Sequence, residues 1–317
     1  MLKYLIIQLD DTSTSFCHYN TSHDNPNLMP LDILKKAIRW SMVENLNVQF
    51  IYPEYTLPEE YNEAIEKINH TKIKPATYEH LSEGDIAVFN SIAETQGFDF
   101  TNGANYVIRT CKDELFKSFN DLRAILETSG RLSLVISDIQ KFDKNDFSIY
   151  KSILERLAEV IRTEYVDKRH PIQFNLLTDR MMLISMNNCG AGDECITLAP
   201  NGRFYICPAF YYDNPEDNAG DIENGPDVKN QQLLKLDHAP ICRHCDAFQC
   251  HRCVWLNRLT TLEVNTPSHE QCVVAHLERN ASRQLLADIR EAGEFIPDKD
   301  IPEIDYIDPF DLVKNKL

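Results

Sequence analysis

Cys242-Arg243-His244-Cys245-Asp246-Ala247-Phe248-Gln249-Cys250-His251-Arg252-Cys253 places four thiols in twelve residues, spaced Cys-x2-Cys-x4-Cys-x2-Cys. Four more flank this run: Cys189, Cys195 and Cys207 before it and Cys272 after it, so that eight of the ten cysteines fall in one segment. Four thiolates complete one tetrahedral zinc or one iron–sulfur cluster, so eight make two full sites with none left over. Thiolate tetrads alone do not choose between the two metals. His244, His251, His269 and His276 lie nearby. With four thiolates already in each set, they are expected at the surface or behind the ligands.

Upstream of the run, Ile196–Leu198 and Arg203–Cys207 flank Ala199-Pro200-Asn201-Gly202. Asn-Gly between extended runs is a hairpin signal, because both residues tolerate positive φ. Downstream, a helix is expected from about Ser268 to Ala292, with Cys272 in its first turns. Beyond Gly293 the chain is acidic and punctuated by Pro297, Pro302 and Pro309, as in an extended tail.

The first 180 residues have a different texture, with short apolar runs alternating with helical stretches, the signature of βα units and a mostly parallel sheet. Strands are expected at Lys3–Leu9, Asn47–Tyr52, Asp85–Phe89, Tyr106–Thr110, Arg131–Ile136 and Gln173–Leu177. Helices are expected at Leu31–Asn45, Glu59–Ile68, Asp113–Leu126 and Asp146–Tyr165, where apolar residues such as Ile33, Ala37, Ile38 and Met42 recur at helical spacing. Six strands with intervening helices predict an α/β fold closing as a partial (β/α)6 barrel. Asp10 and Asp11 end the first strand, where barrel chemistry normally sits; the alternative is that they are simply solvated. Cys111, opening a helix, is expected to be a small buried hydrophobe.

The formal net charge of -17 argues against nucleic acid and anionic membranes, since a phosphate binder needs a basic face. No apolar run approaches the ~20 residues of a membrane span, and Met1–Leu9 is too short for a signal peptide. The expected location is the cytoplasm. In that reducing compartment clustered cysteines hold metal rather than forming disulfides.

The cysteine pattern resembles the SPASM domain, the C-terminal extension of radical S-adenosylmethionine enzymes that mature peptides and proteins. In this chain twelve residues separate Cys189 from Gly202, and four separate Gly202 from Cys207, as that family's pattern requires. The family's four-cysteine run is usually Cys-x2-Cys-x5-Cys-x3-Cys, and this chain is one residue shorter in each of the last two gaps. The resemblance implies two [4Fe–4S] clusters, one on Cys189, Cys195, Cys207 and Cys253 and the other on Cys242, Cys245, Cys250 and Cys272. Two zinc ions are the alternative. Ligands that interleave in this way would couple metal binding to folding. The implied organisation is a radical-enzyme-like barrel over 1–186, a SPASM-like α+β domain over 187–292, and the tail over 293–317.

Such a barrel should carry Cys-x3-Cys-x2-Cys after its first strand. The loop instead reads Ser13-Thr14-Ser15-Phe16-Cys17-His18-Tyr19-Asn20, with Ser13 and Asn20 in place of two ligands. Neither a neutral hydroxyl nor an amide is a strong anionic donor to iron. The family's Gly-Gly-Glu-Pro after the second strand, which receives the cofactor's amino group, is matched here by Tyr52-Pro53-Glu54-Tyr55. Glu54 remains, but the glycines that let a ligand approach the backbone are gone. S-adenosylmethionine binding is therefore not expected.

A SPASM-like half behind the frame Ser-x3-Cys-His-Tyr-Asn is similar to the CXXX repeat peptide maturases. That resemblance implies an accessory or electron-relay partner of a complete radical S-adenosylmethionine maturase, acting on a cysteine-repeat precursor peptide. Two alternatives stand beside it: a peptide-modifying enzyme in its own right, built around Cys17, and a zinc-stapled interaction protein without a redox role.

Overall fold

Leu5, Ile6 and Ile7 follow one another without polar interruption, which suits a strand covered on both faces, and they form the centre of β1 (Tyr4–Gln8). The computed structural model describes residues 1–21, 23, 25–293 and 300–302. After β1 come α1 (Leu31–Val43), β2 (Asn47–Ile51), α2 (Glu59–Ile65), β3 (His70–Pro75), β4 (Ile86–Phe89), β5 (Asn105–Thr110), α3 (Lys112–Lys117) and α4 (Phe119–Thr128). Then follow β6 (Arg131–Ile136), α5 (Lys144–Val166), β7 (Gln173–Phe174), α6 (Thr178–Met182), β8 (Cys195–Leu198), β9 (Phe204–Tyr205), α7 (Pro208–Asp213), α8 (Val254–Thr261) and α9 (His269–Glu291). Apart from Gly293 and residues 300–302, the expected acidic tail lies outside the described residues. By internal packing the chain divides into two units, residues 1–89 with 189–238 and residues 90–188 with 239–317.

In the first unit β1 is flanked in parallel by β2 and by β8, with Ile6 opposite Gln49 on one side and Thr197 on the other. β3 and β4 continue the parallel sheet beyond β2, and β9 turns back antiparallel on β8. The core holds Leu34, Ala37 and Ile38 of α1 with Leu5, Ile7, Phe50, Ile196, Leu198 and Phe204. Burial of each large side chain stabilises by roughly 1.5–3 kcal/mol, so the strands of the cysteine-rich segment are part of this core. The hairpin falls where Asn-Gly indicated, with a different turn. Gly202 N–H reaches Ala199 O at 2.9 Å, and only Gly202 has positive φ (+76°). This is a type I turn on Pro200 and Asn201, closed by a left-handed glycine.

The strands expected from sequence include none at His70–Pro75, where the structure has β3. In the structure Lys74 is 5% exposed. Its Nζ lies 2.8 Å from both Asp85 Oδ2 and His80 O, and 4.8 Å from the Tyr78 ring centroid. A buried cation is tolerated when paired and hydrogen-bonded in this way.

In the second unit β5, β6 and β7 run parallel. Asp143 opens α5 with a capping box, accepting from Asn145 N and Asp146 N while Asp146 Oδ2 accepts from Asp143 N. Ser268 and Gln271 do the same for α9, each cap stabilising by about 1 kcal/mol. The two long helices pack on each other, and Tyr150 Oη donates to Glu278 Oε1 at 2.7 Å. The helix expected over Asp113–Leu126 breaks at Ser118 (φ -100°, ψ 28°), which sets Phe119 inward beneath the Arg156 guanidinium at 3.6 Å. Cys111 corrects the expectation of a buried hydrophobe: at the N-cap of α3 its extended backbone leaves it exposed.

Candidate functional site

The loop after β1 is tied down at almost every residue. Asp10, fully buried, accepts from Thr12 N (2.7 Å), Thr12 Oγ1 (2.6 Å) and Tyr55 Oη (2.8 Å). Ser13, 1% exposed, accepts from Asp10 N and donates to Ile51 O, both at 3.0 Å. Thr14 N donates to Tyr52 O at 3.0 Å, joining this loop to the end of β2. The Ser13 hydroxyl is thus committed to backbone on both sides.

Two tyrosines of α7 complete the arrangement. Tyr211 Oη donates to Asp11 Oδ1 at 2.5 Å, and Tyr212 Oη donates to Asp11 O at 3.0 Å while accepting from Gln8 Nε2 at 2.9 Å. Tyr212 stacks on Tyr19 with ring centroids 5.7 Å apart. Burial, followed by the Asp11 carboxylate for Tyr211, raises the phenol pKa values of both, so they remain neutral donors. Of the remaining motif positions, Cys17 is half-buried, Asn20 and Glu54 are exposed, and Tyr52 and Pro53 are buried.

Three expected metal ligands belong to the first unit. Gly190, at φ +66°, lets its carbonyl accept from Asp193 N, Glu194 N and Cys195 N in a tight turn between Cys189 and Cys195. Burial, and second the Cys189 sulfur, push the Cys195 thiol up to about 12. Cys207 is the N-cap of α7, with Pro208 at the first helical position. Cys253, the fourth member expected for this set, belongs to the second unit. There it caps α8, its Sγ accepting from Leu256 N at 3.5 Å.

The other four all lie in the second unit. Burial pushes the Cys242 thiol up to about 11, with Arg252 opposing and Cys245 adding. Burial also raises Cys250, whose other influences include the Arg252 N–H, Cys242 and Cys272. Cys242 is buried, and Cys245, Cys250 and Cys272 are half-buried. Cys245 Sγ accepts from Ala247 N at 3.4 Å and lies 3.3 Å from His276 Nε2. His244, His251 and His269 are exposed. Among the described residues, no group of three or more His, Cys, Asp or Glu side chains stands arranged to hold a metal ion. Cys195 and Cys242 are the buried thiols of the eight, and a buried thiol incurs a desolvation penalty on ionising that ligation of a cation would offset.

Sequence reasoning missed Tyr55, Tyr211 and Tyr212, whose partners lie up to 204 residues away. It also missed Arg180, Asp246 and Arg279. Asp246 follows Cys245 and pairs with buried Arg279 and, at 3.6 Å, with Arg180. Two basic residues far apart in sequence give no local signal of a shared carboxylate.

No protein-family model matches the chain, and no curated protein matches it. Solved structures do. Native anSMEcpe with bound AdoMet and the Cp18Cys peptide matches at a TM-score of 0.64 and 13% identity, over 92% of this chain and 99% of that one. Hexahistidine-tagged anSMEcpe with bound AdoMet matches at 0.61 and 12%, over 93% and 96%. Native anSMEcpe with AdoMet and the Kp18Cys peptide matches at 0.55 and 12%, over 92% and 99%. At these identities the similarity is one of fold alone, an α/β chain with a mostly parallel sheet. Among the described residues no helix is long and apolar enough to cross a membrane.

Proposed function

We propose that this chain serves the maturation of a ribosomally made peptide, as a cluster-carrying partner of a complete radical S-adenosylmethionine maturase rather than as the source of the radical. The observation that carries this reading is the Ser13 hydroxyl, held between Asp10 N and Ile51 O in a loop braced by Tyr211 and Tyr212. A cluster that binds S-adenosylmethionine needs three anionic sulfurs at this loop. Here one position is a buried serine and another an exposed asparagine. The peptide role is supported by the fold, whose solved examples include one with a bound peptide. A precursor with repeated cysteines is the substrate class implied by the family resemblance.

Two [4Fe–4S] clusters would be held by Cys189, Cys195, Cys207 and Cys253 and by Cys242, Cys245, Cys250 and Cys272. When bound, four-thiolate clusters supply one-electron transfer without an open coordination position. The protein's part is to exclude water from Cys195 and Cys242, which are 8% and 7% exposed, and to direct N–H groups at Cys245 and Cys253. Acid–base work at the loop is not required of Asp10 or Asp11, whose carboxylates are occupied by hydroxyl donors.

Anaerobically purified protein should be brown and contain about eight irons and eight sulfides, as two four-iron clusters require. It should not cleave S-adenosylmethionine reductively. A colourless protein with two zinc ions would replace this reading with that of a zinc-stapled interaction protein, and reductive cleavage by the isolated chain would overturn the lost cofactor site. Cys17→Ala should leave peptide maturation unchanged in the presence of the partner; loss of maturation would favour a catalytic thiol.

A further inference from the structure

Aromatic rings of the first unit form one continuous chain beside the loop after β1. Phe16 meets Tyr19 edge-on at 6.0 Å between centroids, and Tyr19 stacks on Tyr212 at 5.7 Å. Tyr212 lies 5.5 Å from Tyr211, and Tyr211 lies 5.1 Å from Tyr205. His23 sets its edge against both Tyr211 and Tyr212. Tyr19, Tyr205 and Tyr211 are 3%, 0% and 4% exposed. Packing accounts for the rings, at about 0.5–1.5 kcal/mol per pair, and phenylalanine would serve it as well. The hydroxyls are what packing leaves over. Tyr205 and Tyr212 donate to backbone oxygens, Pro215 O at 2.7 Å and Asp11 O at 3.0 Å. Of these three tyrosines only Tyr211 donates to a carboxylate, Asp11 Oδ1 at 2.5 Å.

A phenol gives up an electron readily only when its proton leaves too, because the radical cation is a strong acid. Burial and the Asp11 carboxylate keep the Tyr211 phenol protonated, so electron and proton must go together. Asp11 Oδ1 takes the proton along a hydrogen bond already made. Its Oδ2 faces Asn27 Nδ2 at 3.0 Å and the half-buried His23 Nδ1 at 3.8 Å. We propose that Tyr211 is a one-electron donor site, oxidised through the Tyr19–Tyr212 stack by a thiyl radical at the Phe16 end and giving its phenolic proton to Asp11. One electron passes from Tyr211 to the sulfur, which takes a proton from solvent and ends as a thiol. Tyr211 becomes a neutral tyrosyl radical and Asp11 a carboxylic acid. A one-electron reductant of the ascorbate class then supplies an electron, and return of the Asp11 proton restores both side chains. None of these rings is an expected metal ligand, so the donor site stands apart from the cluster reading. Only the natural source of the thiyl radical, a cysteine of the precursor peptide, rests on the proposed function.

The test uses the full chain without any peptide. A ruthenium(II) tris-bipyridine photo-oxidant with persulfate, flashed in the sample, stands in for the thiyl radical. The tyrosyl radical is followed by its optical absorption and, after freeze-quenching, by electron paramagnetic resonance. Wild type should give a radical that outlives that of free tyrosine and forms more slowly in deuterium oxide. Tyr211→Phe should remove it, and Tyr4→Phe, at an exposed ring, should not. Asp11→Asn keeps an oxygen to accept the Tyr211 hydroxyl but loses the base, so radical formation should slow by about 100-fold in a protein that still folds. Tyr212→Phe, which removes the ring between Tyr19 and Tyr211, should lower the yield. A long-lived radical that survives Tyr211→Phe, or one that forms at the wild-type rate in Asp11→Asn, overturns the proposal. An undiminished yield in Tyr212→Phe overturns the route through the stack. Where Tyr211→Phe fails to fold, Asp11→Asn decides. Metal analysis of the same sample reads the cluster assignment separately, and the tyrosyl signal is expected whether iron, zinc or neither is found.

Discussion

Rebuilding the three-cysteine frame in the loop after β1 should damage the protein without restoring its chemistry. The variant is Ser13→Cys with Asn20→Cys, which together with Cys17 recreates Cys-x3-Cys-x2-Cys. The Ser13 hydroxyl makes two buried hydrogen bonds at 3.0 Å, one to Ile51 O and one from Asp10 N. A thiol is a weak donor and a weak acceptor. Leaving a buried partner unsatisfied costs about 1–3 kcal/mol, against about 0.5–1.5 kcal/mol for each bond in place. Ser13→Cys alone should therefore lower unfolding free energy by about 2 kcal/mol, and Asn20→Cys, at an exposed position, by less than about 0.5 kcal/mol. Urea denaturation of the two single variants and the double variant, under anaerobic conditions, measures this. Iron content of the double variant should remain at about eight, because the new thiol at residue 13 faces backbone carbonyl and amide rather than open space. A double variant with about twelve irons, unchanged stability and reductive cleavage of S-adenosylmethionine would refute the reasoning.

Burial raises the Glu278 carboxyl to about 7, against the unfolded value of about 4.3. The folded state then binds the extra proton between these values, so this group's contribution to stability is complete below about pH 4 and is lost as pH rises through 7. Between pH 5 and 8 the loss should be about 2–3 kcal/mol, and Glu278→Gln should abolish it; denaturation midpoints across that range test the sign. Cys245→Ala should remove one cluster, lowering iron from about eight to about four, and should bring the thermal midpoint down by coupling of metal to fold. Iron content and calorimetry on the same sample check both parts. Gly202→Ala places a side chain at φ +76° with its Cβ 3.1 Å from Ile33 Cδ1, which should cost about 1–3 kcal/mol in denaturant.

Local signals in this chain were easy to read and long-range ones were not. Helices α1, α5 and α9 follow from apolar spacing, and the α9 cap from Ser268 and Gln271. The eight clustered cysteines were legible from spacing, while among the described residues no group of three or more ligating side chains stands arranged to hold a metal ion. β3 escaped notice because Lys74 owes its burial to Asp85, eleven residues on, and to aromatic rings that no local pattern connects to it. The hairpin position was clear from Asn201-Gly202, yet the turn type depended on Pro200 fixing the residue before them. The brace on the β1 loop was invisible for the same reason as β3: Asp11 and Tyr211 are 200 residues apart.

The placement of β8 beside β1 has a consequence for how the chain is made. Tyr4 pairs with Cys195, so one edge of β1 waits on the ribosome for a partner synthesised about 190 residues later, roughly 10–40 seconds at ordinary elongation rates. During that interval the nascent chain carries an open, apolar strand edge, Tyr4 to Ile7, of the kind that invites aggregation. The strand that closes it begins at Cys195 itself. Closure of the sheet and the emergence of Cys195 are therefore the same event in time, so whatever delays synthesis of the segment around Cys195 prolongs the exposure of that edge.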